Sequence, residues 1–243
     1  REVEGARGEG EVAGAVEEAP PTEPEEGEPA APVPETPYRI YLVVDDAGHD
    51  LADVVPYLEL PFPVTVAILP ERDHTLETAR AVAAAGKESI LHLPMEPAGD
   101  ANPGAGALYT SQSDEELVST VRRHLKALPT VIGVNNHMGS LATADERVME
   151  QVMATISEEG LFFLDSRTTP STVAPAVAAR LGVPIAERTV FLDNERTGDA
   201  VTAQLDEAAA AAREFGFAVA IGHVTTPVVA EVVASRQAEL ARQ

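Results

Sequence analysis

The sequence contains no cysteine and no tryptophan. The first absence removes thiolate metal ligands, disulfides and cysteine nucleophiles, and it leaves the compartment open, because cysteine-free chains serve oxidising and reducing spaces alike. Aromatic residues make up only 4% of the chain, few for a long saccharide groove, in which pyranose faces stack on rings. Tyr57, Tyr109, Phe62 and Phe163 are the candidate platforms. Cationic side chains are scarce as well, with 17 Lys and Arg against 40 Asp and Glu and a formal charge of -23. A surface of that sign repels nucleic acid and anionic lipid, so neither is expected as a partner. No apolar run approaches the roughly 18 residues of a membrane-spanning helix, so no membrane insertion is expected of this segment.

What is present divides near Pro37. Residues 1–37 hold seven of the 19 prolines and eleven glutamates, with Val as the only large aliphatic. Such a segment cannot bury enough apolar area to offset chain entropy, and it reads as a disordered acidic tether. Its composition is that of a spacer between a membrane anchor or signal and an exported domain, or of a solubilising tail. The first residue is Arg1 rather than Met, so the sequence reads as a fragment with any leader or anchor upstream of it. Residues 38–243 then form one domain with one sizeable core.

Within that domain, short apolar runs alternate with helical patterns. Strands are expected over 39–44, 64–69, 89–93, 131–134, 161–164, 190–192 and 218–221. Helices are expected over 75–85, 114–128, 144–159, 172–181, 200–214 and 227–240. Ser113 with Glu116 three residues on is a capping-box pattern, and Gly86 and Gly160 stand where helices stop. The alternation favours parallel strands wrapped by helices, as an open doubly wound sheet or a barrel.

Polar residues gather where those strands end: Asp45-Asp46 after the first, "HLPMEP" at the third, "NNHMGS" at the fourth, "LDSRTT" at the fifth, "LDNE" at the sixth and "IGH" at the seventh. In α/β folds the carboxyl ends of the strands share one face, and ligands bind there. One of the two adjacent aspartates is explained by helix capping, but not both. Side chains alternate along a strand, so the pair should point in different directions and do different work. His49, His74 and His124 read as surface or loop residues. His92, His137 and His223 stand at strand termini beside Gly, Asn or Pro. Two neutral imidazoles and a carboxylate form a Zn²⁺ set with one position left for water.

The words "VVDDAGHD", "PVTVAILP", "AAAGKESILHLPMEP", "GVNNHMGS", "GLFFLDSRTT", "VFLDNE" and "AIGH", in this order from Tyr38 almost to the end, resemble the divergent polysaccharide deacetylases, relatives of the NodB-type carbohydrate esterases. The resemblance implies an α/β fold, a distorted (β/α) barrel of about seven parallel strands, with a metal-dependent hydrolytic site at the strand ends. In the better-known esterases a Thr-Phe-Asp-Asp-Gly word supplies a base and then a metal ligand, which maps to Asp45 and Asp46. Their His-Ser-x-x-His word supplies two ligands; here His92 matches the first and Glu96 stands at the second. Their Arg-containing fourth-strand word is replaced by Asn135-Asn136-His137. The metal set implied here is therefore Asp46, His92 and His137, with Glu96 as an outer or substitute ligand and Zn²⁺ as the expected ion. A late Leu-x-x-His word maps to His223, the acid that protonates the leaving group, with Asp165 or Asp193 to orient it. Asn136, Arg167 and Glu195 are the candidate substrate contacts; Asp165 with Arg167 is alternatively a structural ion pair, and "NERTG" a capped turn.

Two function classes follow from this: a metal-dependent hydrolase that removes an acyl group from a glycan of the cell envelope, or a non-catalytic envelope protein that uses the same rim to bind a glycan or a protein. Either reading places the domain outside the cytoplasm, in the periplasm or envelope. Limited proteolysis is expected to trim residues 1–37 and leave a domain with unchanged melting temperature; a fall in melting temperature on trimming would contradict the tether reading.

Overall fold

The computed structural model describes residues 38–236 and 238, so the tether expected over 1–37 lies outside the described residues. Eight strands form one sheet: β1 (Arg39–Ala47), β2 (Thr65–Ile68), β3 (Glu88–Met95), β4 (Gly133–Met138), β5 (Phe162–Asp165), β6 (Ile185–Glu187), β7 (Val190–Phe191) and β8 (Phe217–His223). Their order across the sheet is β6-β5-β4-β3-β2-β1-β8-β7, and every pairing is parallel. The helices are α1 (Val55–Leu58), α2 (Thr75–Ala84), α3 (Asp114–Ala127), α4 (Glu146–Glu158), α5 (Ala174–Leu181), α6 (Gly198–Phe215) and α7 (Pro227–Ser235).

The two outermost strands, β6 and β7, are consecutive in the chain, with only Arg188 and Thr189 between them. A flat sheet would put them seven strands apart, more than 30 Å at about 4.8 Å per strand, whereas two residues reach about 10 Å. The sheet therefore curls until its edges meet. The meeting point is visible in two hydrogen bonds: Arg188 N–H donates to the Asp165 carbonyl on β5 at 3.0 Å, and Thr189 N–H donates to the Val219 carbonyl on β8 at 2.8 Å. The chain itself, not a ladder between β6 and β7, joins the edges of this distorted barrel. The expected count of seven strands becomes eight because of β6, three half-buried residues without the apolar run that marks the others.

The pleat splits the apolar residues into two compartments. Val43, Ala67, Ile90, Leu164, Val219 and Ile221 fill the barrel interior. Their neighbours in sequence, among them Val44, Val66, Leu91 and Phe163, face outward to meet Leu117, Val121, Met149, Val152 and Leu205 of the helices. The helices are well bounded by local chemistry. Ser113 and Glu116 make the expected capping box on α3, Asp145 caps α4 by accepting from Val148 N–H, and Gly182 and Gly216 end α5 and α6 in the left-handed conformation.

Phe162 and Phe163 test this division. Phe163 is fully buried between sheet and helices, and Phe162 is half-buried against the interior cluster. Phe163→Ala is expected to cost about 3–5 kcal/mol of unfolding free energy, and Phe162→Ala distinctly less, as read from denaturant midpoints.

Candidate metal centre

The site begins with an irregularity in β1. The register against β2 slips between Val44 and Ala47, and Asp46 has φ 65°, in the left-handed region. The expectation that the adjacent aspartates diverge is thereby overturned, since the bulge swings both carboxylates toward His92: Asp46 Oδ1 lies 3.2 Å and Asp45 Oδ2 3.8 Å from its Nε2. Met138 at the end of β4 (φ 52°) and Arg167 just after β5 (φ 48°) are left-handed too. Such backbone costs a non-glycine residue about 1–2 kcal/mol. It is held here by local bonds: the Met138 carbonyl accepts from Asn136 Nδ2 and Thr168 Oγ1, and Arg167 N–H donates to Asp165 Oδ1.

Three donors from three strands converge. His137 Nδ1 is 3.1 Å from His92 Nε2 and 3.0 Å from Asp46 Oδ1, which closes a triangle with the 3.2 Å contact above. Ligands held about 2.0–2.1 Å from one tetrahedral ion lie about 3.3 Å apart, so the spacing fits a shared cation. Asp46 Oδ1 is buried and has no hydrogen bond of acceptable geometry, although two imidazole nitrogens stand beside it. Lone pairs aimed at a common centre leave that pattern. Among the described residues this is the one group of three such donors. Burial opposes the charge on Asp46, yet the two imidazoles hold its carboxyl well below the usual carboxylate range. Burial lowers the His137 pKa, and neutral imidazole is the ligand form.

A second pair sits beside the triangle. Asp45 and His223 are neighbours across β1 and β8. The His223 ring hydrogen-bonds through Nδ1 to Asp193 Oδ1 at 2.9 Å, and its backbone N–H donates to Asp193 Oδ2 at 3.1 Å. Phe191 stacks on the His223 ring at 5.7 Å between centroids, and the Arg188 guanidinium lies 3.9 Å over the Phe191 ring from the adjoining turn. Burial disfavours a charged His223, but the Asp193 hydrogen bond and charge, with Asp45 and Asp46 behind them, carry its pKa up to about 9. Burial pushes Asp45 up, against the pull of His92 and His223.

Several predicted residues are not brought into this arrangement. Asp165 does not reach His223; its oxygens accept from Arg167 N–H and Thr172 Oγ1 and pin the loop after β5. Glu96 is no ligand of the triangle, because Oε2 accepts from both the backbone and the hydroxyl of Thr110 at 2.7 Å. Asn136 lines the cleft, but its amide bonds to Met138, Ser166 and Thr168, so it shapes the rim. Arg167 pairs with Glu187 at 3.0 Å rather than with Asp165. Glu195 is exposed and outside the cleft wall, to which its neighbours Asn194 and Arg196 contribute. His124 is buried on α3, not on the surface, with Nε2 2.8 Å from the Gly106 carbonyl. Tyr57 and Phe163 are core residues and cannot serve as stacking platforms. Sequence reasoning missed Asn135. In β4, Asn135 and His137 share a face by alternation, so period-two reading points to Asn135 rather than Asn136 as the companion of the histidine.

The sequence profile of the divergent polysaccharide deacetylases matches residues 42–243. The chain belongs to that family. Two relatives of the chain are an uncharacterised protein of Haemophilus influenzae, 34% identical over 76% of this chain and 66% of its own length, and the uncharacterised protein YibQ of Escherichia coli, 33% identical over 76% of this chain and 58% of its own. The match thus spans less than two thirds of either relative. Among solved structures, the uncharacterised protein ATU2773 of Agrobacterium tumefaciens superposes with a TM-score of 0.78 at 23% identity, covering 88% of this chain and 87% of that one. A family 4 carbohydrate esterase pseudoenzyme of Bacillus anthracis, BA3943, superposes with a TM-score of 0.52 at 13% identity, covering 85% and 62%. At those identities the likeness concerns the fold alone.

The His223–Asp193 pair gives a direct test within this domain. The folded pKa of His223, about 9, lies above the 6.5 of an ordinary imidazole, so the pair stabilises the fold fully below about 6.5, and that contribution is lost as pH rises through about 9. Titration followed by imidazole NMR is expected to show the raised pKa in the wild type and a value well below it in Asp193→Asn. An unchanged pKa in that variant would contradict the pairing.

Proposed function

We propose that the domain is a metal-dependent hydrolase that removes an acyl group, as an amide or ester, from a cell-envelope glycan. The observation that carries this reading is the donor triangle of Asp46, His92 and His137 standing directly beside a buried carboxylate, Asp45, and an Asp-paired imidazole, His223. Two imidazoles and one carboxylate suit Zn²⁺ above the harder divalent ions, which prefer all-oxygen shells. When bound, the ion supplies Lewis acidity toward a carbonyl oxygen and lowers the pKa of water from about 16 to about 7.

The protein's own residues supply the proton transfers. Asp45 Oδ1 is tied to Asn135 at 2.9 Å, which leaves Oδ2 to accept the proton of the attacking water. The nucleophile adds to the acyl carbon, the C–N or C–O bond breaks, and the departing amine or alkoxide needs a proton. His223 is the donor: Nδ1 is committed to Asp193, so Nε2 delivers it, and a pKa raised to about 9 keeps the ring charged near neutrality. Asn194, Arg196 and Thr168 on the cleft wall offer polar contacts for hydroxyl and carbonyl groups of a saccharide. On this reading the work is done in the periplasm or envelope, where such glycans lie.

The alternative, a rim that binds without catalysis, is separated from this reading by two substitutions. Asp45→Asn is expected to keep bound metal and to lose about 10²–10⁴-fold of the hydrolysis of an acetylated glycan or a generic acetyl ester. Asp46→Asn is expected to lose both. Wild-type hydrolysis should also fall as pH rises through about 9, because the charged form of His223 is the donor. Bound metal with no hydrolysis across a broad substrate panel supports the binding alternative; full activity in Asp45→Asn removes Asp45 as the base.

A further inference from the structure

We propose that Asn135 is a positioning residue that couples the metal centre to the catalytic base: one amide fixes both the ring orientation of His92 and the carboxylate of Asp45. The inference rests on the hydrolase reading above and goes beyond it, because no ligand or proton-transfer role falls to Asn135 itself.

Asn135 is fully buried, side by side with His92 across the β3–β4 pairing. A buried amide is costly unless its donors and acceptor are met, and here they are. Oδ1 lies 2.8 Å from His92 Nδ1, while Nδ2 donates to Asp45 Oδ1 at 2.9 Å and approaches Ser166 Oγ at 3.4 Å. The two contacts constrain each other. An ionised carboxylate only accepts, so the NH₂ end must face Asp45 and the oxygen must face His92. The amide oxygen only accepts too, so Nδ1 of His92 carries a proton. With Nδ1 so committed, Nε2 faces Asp46 and His137, and in the neutral ring it is Nε2 that offers its lone pair there, the orientation a metal ligand needs. Reversing the amide would break both bonds at once. The sequence reaches this arrangement by placing Asn135 two residues before His137 on one strand, so that a single strand supplies a donor and the group that orients a second donor.

Two substitutions divide the roles. Asn135→Asp keeps an acceptor for His92 Nδ1 and removes the donor to Asp45; Asn135→Leu removes both in a similar volume. Zn²⁺ affinity is measured by competition with a chelator, and the His92 Nδ1 proton by NMR of the metal-free protein, which keeps one readout independent of the hydrolase reading. In Asn135→Leu, Zn²⁺ binding should weaken by roughly 10–100-fold and the Nδ1 proton should move upfield from its hydrogen-bonded position. In Asn135→Asp, the affinity and the downfield proton should stay near wild type, while ester hydrolysis drops by roughly tenfold or more through the freed Asp45. A merely structural Asn135 would instead move all readouts together with the melting temperature in both variants, and that result overturns the proposal. So does a Leu variant with unchanged Zn²⁺ affinity and proton shift. A wild type that binds no Zn²⁺ overturns the hydrolase reading and the coupling with it, whatever the proton shift; tight wild-type binding with an unaffected Leu variant overturns the coupling alone.

Discussion

The two-residue step from β6 to β7 is the constraint on which the architecture depends. Arg188 and Thr189 must reach from one edge of an eight-stranded sheet to the other, and their N–H groups donate to opposite sides of the seam. The sheet has no choice but to curl. The same step positions the cleft: β7 leads directly to Asp193, Phe191 stacks with the His223 ring, and the Arg188 guanidinium lies over the Phe191 ring. Arg188 also donates to the carbonyls of Ser166 and Arg167. A short connection thus ties the rim after β5 to the rim after β8.

Electrostatically the site is a concentrated version of a balance the whole chain lacks. The protein carries a formal charge of -23, yet within the cleft three carboxylates face three imidazoles. Burying Asp45 and Asp46 next to each other is unfavourable in isolation, and the histidines make it tolerable. The left-handed residues at the ends of β1, β4 and β5 belong to the same economy of compensation. Left-handed backbone appears at strand ends around the cleft, and at Met138 and Arg167 it is held by donors on Asn136 and Thr168 and by the accepting carboxylate of Asp165.

Much of this was legible in the sequence. Short apolar runs locate seven of the eight strands, and polar words at their ends locate the rim, because both signals are local. The resemblance to the deacetylases placed Asp46, His92 and His137 in one shell, and the structure brings their donor atoms within about 3 Å of one another. What escaped depends on geometry that strand alternation does not encode. The bulge at Asp46 turned two divergent aspartates into convergent ones. Asp165, Asn136 and Glu96 are polar residues at the rim like Asp46 and His137, but they hydrogen-bond to neighbouring loops. Type and position alone do not distinguish a side chain that serves a ligand from one that serves the backbone. Asn135 is the reverse case: strand alternation puts it, and not Asn136, on the face of His137.

The donors of the triangle are separated along the chain by more than forty residues at each step, and each lies on a different strand. No peptide segment of this protein holds two of them in reach of one another through local structure, unlike a site built from histidines one helical turn apart. The centre is therefore a property of completed strand pairing among β1, β2, β3 and β4, the middle of the sheet. An ion that requires all three donors recognises the folded chain and not the unfolded one, so its binding free energy adds to folding cooperativity and acts as a check that the long-range pairing has been made correctly.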